Sequence, residues 1–237
     1  MTASTGGDPR GELRVLGLEG IPEVTEGDDL ASLIAAAAPK GGFRDDDIVV
    51  VAHKVVSKAE GRLMEAAERS AAIEAESARV LRRSGGVMIS ETRHGFVCAN
   101  AGVDASNVAP GWICLLPLDP DLSARRLRAR LRHLTGADMA VVISDTFGRT
   151  WRKGQTNVAI GVAGIDPFLD YRGRRDAFGN ELSATIICVA DELAGVAELV
   201  MGKATGRAAA LVRGAEVTRW PGSAAAIVRP PEEDFFR

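Results

Sequence analysis

The segment that most constrains the architecture of this chain reads Met139-Ala140-Val141-Val142-Ile143-Ser144-Asp145-Thr146-Phe147-Gly148-Arg149-Thr150-Trp151-Arg152-Lys153-Gly154-Gln155. It opens with a short β-branched run and continues into turn residues, which is the pattern of a buried strand. We therefore expect Asp145 and Thr146 at the C-terminal end of that strand, where α/β sheets present their chemistry. A carboxylate in this position must be solvated, paired or bound to a metal.

In the segment quoted above, three cations and two glycines follow Asp145, and the segment contains no further acid. The cations are Arg149, Arg152 and Lys153, and the glycines allow a backbone to approach a ligand closely. This composition suits phosphate or carboxylate groups, so the segment as a whole indicates a metal-bound phosphate. The alternative is that Asp145 caps a strand and that the arginine-rich turn is a solvated loop.

A second carboxylate follows another apolar stretch. Asn100-Ala101-Gly102-Val103-Asp104-Ala105-Ser106-Asn107 comes directly after residues 95–99, so Asp104 is also predicted near a strand end, with the amide of Asn107 three residues later. The alternative is an Asx-type turn, because Asn, Gly, Asp and Ser are common turn residues. Together, Asp104 and Asp145 can share one hard cation that keeps positions open for phosphate oxygens.

Composition excludes several classes of protein. The 237 residues carry 29 basic and 32 acidic side chains, a formal charge of -3, so no overall field recruits nucleic acid or an anionic membrane. Cys98, Cys114 and Cys188 form no CxxC pair and are odd in number, which favours reduced core thiols. With no signal peptide and no run of transmembrane length, we expect a cytoplasmic protein.

Hydrophobic periodicity predicts a mixed, α+β chain of sheets with packed helices. Strands are expected over residues 13–18, 48–52, 87–89, 96–98, 112–116, 157–165 and 208–214, and helices over 30–38, 59–83, 121–135 and 189–200. Residues 185–187 fit a strand equally well. The five arginines between Arg125 and Arg132 fall largely on the polar face of their helix and are interpreted as solvated. We expect a flexible N-terminus over residues 1–11 and a catalytic unit over 12–237, as one body or two lobes.

Several blocks together carry a family resemblance. They are Gly20-Ile21-Pro22-Glu23, Gly27-Asp28-Asp29-Leu30, residues 54–62, residues 100–107, Ser144-Asp145-Thr146-Phe147-Gly148-Arg149, Ala190-Asp191-Glu192-Leu193 and Met201-Gly202-Lys203. In this order they resemble the coenzyme F-420:L-glutamate ligase family, and such an ordered set is more specific than any single motif. The resemblance implies a mixed α/β fold that forms an intertwined homodimer. Neither GxGxxG nor GxxxxGK[ST] occurs, so a Rossmann or P-loop fold is not predicted.

The resemblance also implies which residues bind GTP. The candidates lie in a first turn, after the second strand, beside Asp104 and after the last long helix, and they are Ile21, Pro22, Glu23, Val24, His53, Lys54, Lys58, Asn107, Met201, Gly202 and Lys203, with the segment continuing to Arg207. Lys58 suits phosphate best on physical grounds, because its ammonium is a mobile point charge; the alternative is a solvated lysine. His53 is equally interpreted as a structural histidine.

The metal ligands implied by the resemblance are Asp104 and Asp145, with Thr146 as an oxygen ligand of a second ion. The ion is divalent, Mg²⁺ or Mn²⁺, and a monovalent cation such as K⁺ is a further candidate. One departure stands out: where some members carry a glutamate for the second metal, this sequence has Lys203. A cation there repels a metal and can itself contact phosphate, so a single metal is the safer expectation.

The implied reaction joins L-glutamate to a deazaflavin precursor, F-420-0, through an acyl phosphate made with GTP. Asp104, Asp145 and Arg149 are the catalytic candidates, and the residues expected to hold the anionic groups of the precursor and of glutamate are Arg149, Arg152, Lys153, Arg172, Arg174 and Arg175. The flavin-binding nitroreductase-like domain of some relatives is not predicted. Two alternatives remain open, a metal-dependent phosphohydrolase or nucleotidyl-transfer enzyme and a non-catalytic nucleotide-binding protein.

Overall fold

The computed structural model describes residues 11–235, so the prediction of a flexible N-terminus falls, except for Gly11, outside the described residues. Its strands are β1 (Arg14–Gly17), β2 (Ile48–Ala52), β3 (Leu63–Glu65), β4 (Ser77–Ser84), β5 (Val87–Thr92), β6 (Val97–Ala99), β7 (Trp112–Cys114), β8 (Ala140–Arg149), β9 (Arg152–Ala163), β10 (Leu169–Asp170), β11 (Ile186–Ile187) and β12 (Ala209–Arg213). Its α-helices are α1 (Leu30–Ala36), α2 (His53–Ala59), α3 (Arg69–Glu76), α4 (Pro120–Thr135) and α5 (Val189–Met201). The predicted α+β class is confirmed.

A five-stranded sheet in the order β1-β12-β2-β8-β9 forms the centre of the molecule. Only β2 and β8 run parallel; the other neighbours are antiparallel. Alternate residues face opposite sides, so Val49 and Ile143 pack with α1 and α4, while Val50 and Val142 pack with α5. All four side chains are fully buried, and truncating a side chain as large as Ile143 to alanine costs about 2–5 kcal/mol.

A smaller layer of short strands packs beside this sheet. Strand β3 pairs with β7, and β4, β5 and β6 form a three-stranded sheet. The predicted pairing of residues 87–89 with 96–98 is confirmed, with Ser90 opposite Cys98. Helix α3 covers this layer through Ile73, which lies in a separate apolar cluster with Met88 and Ile113.

The helix predicted over residues 59–83 is wrong for most of its length. Only α3 is a regular α-helix between β3 and β4, and β4 occupies residues that were expected to be helical. The physical reason is a hairpin: Gly85 and Gly86, with φ of 56° and 81°, form the two-residue turn that pairs β4 with β5. A Gly-Gly pair between β-compatible runs is a hairpin signal that helical composition obscured.

Strand β8 is longer than predicted, which corrects the position of Asp145. The strand continues to Arg149 and turns back as β9, so Asp145 and Thr146 lie within a strand, opposite Val158 and Asn157. Its parallel partner β2, however, ends at Ala52, opposite Ser144. Asp145 is therefore the first residue beyond the parallel pair and lies at the expected edge of the sheet.

The helix boundaries follow their capping residues. Asp29 accepts a hydrogen bond from the Ser32 amide at the start of α1, and Asp119 does the same for Leu122 at the start of α4. Four of the five arginines on α4 are exposed as predicted, but Arg128 donates to the Met139 carbonyl. None of the three cysteines forms a disulfide. Among residues 11–235, no helix combines the length and the apolar character needed to cross a membrane.

Candidate functional site

A cavity of about 690 Å³ opens at the edge of the sheet where the parallel pair ends. Its walls come from the turn after β1, from α2, from the loop after β6, from β8 and β9, and from the end of α5. Twelve of the residues predicted from the sequence line it: Ile21, Pro22, Glu23, His53, Lys54, Lys58, Asn107, Asp145, Thr146, Met201, Gly202 and Lys203. The fold thus brings together segments that are up to 182 positions apart, from 21 to 203.

Helix α2 supplies one basic wall of the cavity. It starts immediately after β2, so His53, Lys54 and Lys58 are placed at the sheet edge without an intervening loop. The Lys58 side chain is only 7% exposed and forms an ion pair with Glu23, which is 78% exposed. Among the described residues, Glu23 is the only acidic partner of the Lys58 ammonium, and Glu23 itself faces solvent. Lys58 can therefore exchange Glu23 for an anionic ligand.

Asp145 lies at the floor of the cavity as an ionised carboxylate. Its Oδ1 accepts a hydrogen bond of 2.6 Å from the Thr146 amide and lies 3.2 Å from Nε2 of the buried His53, a contact that does not form a hydrogen bond. Burial raises the pKa of Asp145, but the positive field of His53 and the Thr146 amide lower it below its ordinary value. Asp145 is thus available as an anionic ligand.

The loop that carries Asp104 is strained. Asn100, Ala101 and Asn107 all have positive φ, of 54°, 51° and 56°, a region that costs a non-glycine residue roughly 1–2 kcal/mol. Such strain concentrates at functional sites because the surrounding structure must hold it in place. It turns the chain so that Asn107 lines the cavity.

Asp104 lies beside the cavity, where Lys54 links it to the lining. Lys54 Nζ donates to Asp104 Oδ2 at 2.5 Å and to Ser106 Oγ at 2.6 Å. The Ser106 amide also donates to Asp104, so the Asx-type turn considered from the sequence is present together with the ion pair. Burial raises the pKa of Asp104, but hydrogen bonds from Lys54 and Ser106 outweigh it and lower the pKa to about 2.

Lys203 lines the cavity just past the end of α5. Its Nζ lies 2.5 Å from Thr146 Oγ1, 3.1 Å from Glu198 Oε1 and 3.4 Å from Asn157 Oδ1. Asn157 Nδ2 in turn donates to Glu198 Oε2 at 3.0 Å. The ammonium is therefore surrounded by oxygen atoms from β8, β9 and α5.

Three predicted site residues do not line the cavity: Asp104, which lies beside it, Val24 and Arg149. Val24 is 2% exposed and packs in the main apolar core, so its side chain anchors the turn after β1 to that core. Arg149 is exposed at the tip of the β8–β9 hairpin, where its guanidinium donates to the Lys153 carbonyl at 2.6 Å. The other candidate cations for the precursor also lie outside the lining: Arg152, Lys153, Arg172, Arg174 and Arg175.

Asn157 and Glu198 line the cavity and were not predicted from the sequence. Asn157 is the last polar residue before the apolar half of β9 and is only 4% exposed, and a buried polar side chain of this kind is a local inconsistency that functional sites produce. Glu198 gave no signal, because an acid near the end of an amphipathic helix normally faces solvent.

The oxygen-rich lining fits one hard cation better than two. Asp104 and Asp145 offer the carboxylate oxygens that a hard cation prefers, and an ion bound to Asp104 would replace the Lys54 ammonium there. Within residues 11–235, no cluster of three or more His, Cys, Asp or Glu side chains forms a complete protein metal site. The Thr146 hydroxyl does not fit a second ion, because it already contacts the Lys203 ammonium.

Comparison with known proteins gives a consistent family. The model of the F420-0:gamma-glutamyl ligase family matches residues 20–214. The coenzyme F420:L-glutamate ligase of Methanothermobacter thermautotrophicus is 44% identical over 95% of this chain and 99% of its own. Those of Methanopyrus kandleri and Archaeoglobus fulgidus are 44% and 42% identical, over 96% and 95% of this chain and 100% and 96% of their own. This chain therefore belongs to the F420-0:gamma-glutamyl ligase family.

Proposed function

We propose that this protein is a GTP-dependent ligase that forms an amide between L-glutamate and the deazaflavin precursor F420-0. The observation that carries the proposal is the cavity that opens at residues 21–23, 53–58, 144–146 and 198–208. These segments fall within the region matched by the family model, and the named relatives are ligases acting on coenzyme F420 and L-glutamate.

The charges of the cavity support a nucleoside triphosphate as the energy source. Four cations line it, Lys54, Lys58, Lys203 and Arg207, against three carboxylates, Glu23, Asp145 and Glu198. Lys54 and Lys58 approach from α2, and Lys203 approaches from the end of α5, so several phosphate oxygens can be neutralised together. The apolar lining residues Ile21, Val55 and Val108 leave a surface suited to a flat ring system such as a base.

The proposed reaction has two steps. A carboxylate oxygen of F420-0 attacks the γ-phosphorus of GTP; an O–P bond forms, the bond from the γ-phosphorus to the β–γ bridging oxygen breaks, and GDP leaves. The glutamate nitrogen then attacks the acyl carbon; a C–N bond forms, the C–O bond to phosphate breaks, and the nitrogen loses a proton. The products are the glutamyl amide, GDP and inorganic phosphate.

The chain's own groups assist by neutralising charge and by positioning, which is where phosphoryl transfer gains most. Lys54 and Lys58 bind phosphate oxygens from the α2 side, and the Thr146 amide and His53 hold Asp145 in one orientation. Asp104 and Asp145 would hold a divalent ion, Mg²⁺ or Mn²⁺, which when bound neutralises developing charge on the phosphates. We also propose that the enzyme works as a homodimer, for which a molecular mass of twice 25.0 kDa in solution is the test.

The proposal is tested by product analysis. The purified protein is incubated with GTP, Mn²⁺, F420-0 and L-glutamate, and GDP and the deazaflavin products are measured by chromatography and mass spectrometry. We expect GDP release that depends on both glutamate and F420-0, with a mass gain of one glutamyl unit. GDP release that is indifferent to glutamate would instead identify a phosphohydrolase, and nucleotide binding without turnover would identify a non-catalytic protein.

A further inference from the structure

The Lys203 ammonium occupies a cage of oxygen atoms. Three elements form the cage: β8 through Thr146 Oγ1, β9 through Asn157 Oδ1, and α5 through Glu198 Oε1, at 2.5, 3.4 and 3.1 Å from Nζ. An ammonium has three donors, and these three oxygens match that number. The three cage residues are also hydrogen-bonded to one another: Thr146 Oγ1 donates to Asn157 Oδ1 at 2.6 Å, and Asn157 Nδ2 donates to Glu198.

The same three oxygens would otherwise suit a free cation. A carboxylate, a hydroxyl and an amide oxygen converging on one point are the ligands that hard cations bind. Here the point is filled by a cation that the chain supplies itself, on a residue that follows Gly202, whose φ of 59° ends α5 and directs the backbone toward the cavity. A further metal ion at the cage would meet the ammonium at contact distance and would be repelled.

We propose that Lys203 serves as a tethered cation, so that the cavity takes a single divalent ion, at Asp104 and Asp145, and needs neither a second divalent ion nor K⁺ at Thr146. This proposal rests on the proposed function in two respects: the divalent ion at Asp104 and Asp145, and the nucleotide that the ion accompanies. The ammonium then serves two purposes: it neutralises Glu198 in the resting protein, and it presents a fixed positive charge to the nucleotide phosphates.

The proposal predicts what happens when the ammonium is removed. Lys203→Met preserves most of the side-chain volume but leaves the three cage oxygens without their cation. Loss of one charged hydrogen-bonding group weakens binding by roughly tenfold or more. We therefore expect Lys203→Met to bind GDP about tenfold more weakly in a buffer whose only monovalent cation is tetramethylammonium. Added K⁺, or a second Mn²⁺, should enter the cage and restore most of the affinity.

The test counts bound Mn²⁺ and measures GDP affinity in four proteins: the wild type, Lys203→Met, Lys203→Arg and Lys40→Met. Lys203→Arg keeps the charge, and Lys40→Met removes an exposed lysine that does not line the cavity. We expect one Mn²⁺ per chain and no K⁺ dependence in the wild type, Lys203→Arg and Lys40→Met, and a K⁺-dependent or two-Mn²⁺ state in Lys203→Met. Circular dichroism confirms that each variant is folded.

Two results would overturn the proposal: two Mn²⁺ per chain in the wild type, or a Lys203→Met protein whose GDP affinity matches the wild type with and without K⁺. These outcomes are separable from the fate of the proposed function. An enzyme that makes the glutamyl amide but binds two Mn²⁺ contradicts only the role of Lys203. A protein that shows the expected Mn²⁺ count and K⁺ dependence but forms no amide contradicts only the ligase.

Discussion

The charged side chains of the cavity and those of the arginine-rich surface loops are held in different ways. In the cavity, most partners are distant in sequence: Lys54 and Ser106 are 52 positions apart, Lys58 and Glu23 are 35, and Lys203 and Thr146 are 57. The pair of Lys203 with Glu198, five positions away, is the local exception. At the tip of the β8–β9 hairpin, Arg149 bonds the carbonyl of Lys153, four positions away. In the loop after β10, Arg172 pairs with Asp170, two positions away.

The difference distinguishes two kinds of charged side chain. Some are positioned by the tertiary fold, and others are paired within a local turn. A long-range pair exists only when the whole chain is folded, so its geometry is fixed by the core and can be matched to a ligand. A local pair forms within a turn and leaves the rest of the side chain exposed. Arg174 is an exception among the loop arginines, because it lies over the Tyr171 ring and 3.7 Å from Glu216.

Removing the carboxylate of Asp145 tests the comparison most severely. Asp145→Asn keeps the shape of the side chain but removes the negative charge that is proposed to hold the divalent ion. We expect the rate of glutamate-dependent GDP release to fall by about 10²–10³-fold, the range typical for loss of one preorganised electrostatic group. The matched control is Glu232→Gln, an exposed acid near the C-terminus. A fully active Asp145→Asn protein would refute the metal assignment.

Removing Lys58 should have a smaller effect that is confined to nucleotide binding. Lys58→Met deletes a nearly buried ammonium. Its partner Glu23 is solvated and therefore does not need another cation to neutralise it. We expect the affinity for GDP to fall by roughly tenfold, since one charged hydrogen bond is lost. Calorimetric titration with GDP and Mn²⁺ measures it, with Lys40→Met as the control. An unchanged affinity would mean that phosphate does not reach the α2 wall.

Acid should weaken the link between Asp104 and Lys54. The pKa of Asp104 is lowered from 3.8 to about 2, so its contribution to stability is fully present above about pH 4 and is lost as the pH falls toward 2. Because the pair is partly exposed, we expect metal-free Asp104→Asn to melt only up to about 4 °C below the wild type at pH 5. This difference should disappear as the pH approaches 2; a difference that persists would contradict the assignment.

The smallest effect is expected at the hairpin tip. Arg149→Ala removes a guanidinium that bonds only nearby carbonyls among the described residues, so GDP affinity should stay within about twofold of the wild type. The same titration measures it. A tenfold loss would show that the tip reaches a nucleotide site after all, and would remove the distinction between long-range and local charges.

The sequence predicted the parts of the fold that periodicity governs. The continuous apolar run of β2 and the capped amphipathic pattern of α4 are strong local signals, and both elements form where expected. Strand β4 was missed because its exposed polar residues become a strand only when Gly85 and Gly86 bring it against β5. Local composition carries little information about such pairing.

The candidate site was predictable where a motif marks it and not where the fold assembles it. Asp104, Asp145 and Lys58 each stand in a recognisable block, whereas Glu198 looks like an ordinary helix acid until Lys203 and Asn157 are placed against it. The sequence indicated that Lys203 is incompatible with a second metal. It gave no sign of the three oxygens that receive its ammonium.

The central claim, that the cavity activates a carboxylate with GTP, is tested most directly by isotope transfer. F420-0 labelled with oxygen-18 in the reacting carboxylate is incubated with the enzyme, GTP, Mn²⁺ and L-glutamate, and the inorganic phosphate is analysed by mass spectrometry. Attack of the carboxylate on the γ-phosphorus predicts one labelled oxygen in the phosphate for each glutamyl amide formed. Unlabelled phosphate would mean that water, and not the carboxylate, attacks GTP, and would contradict the account.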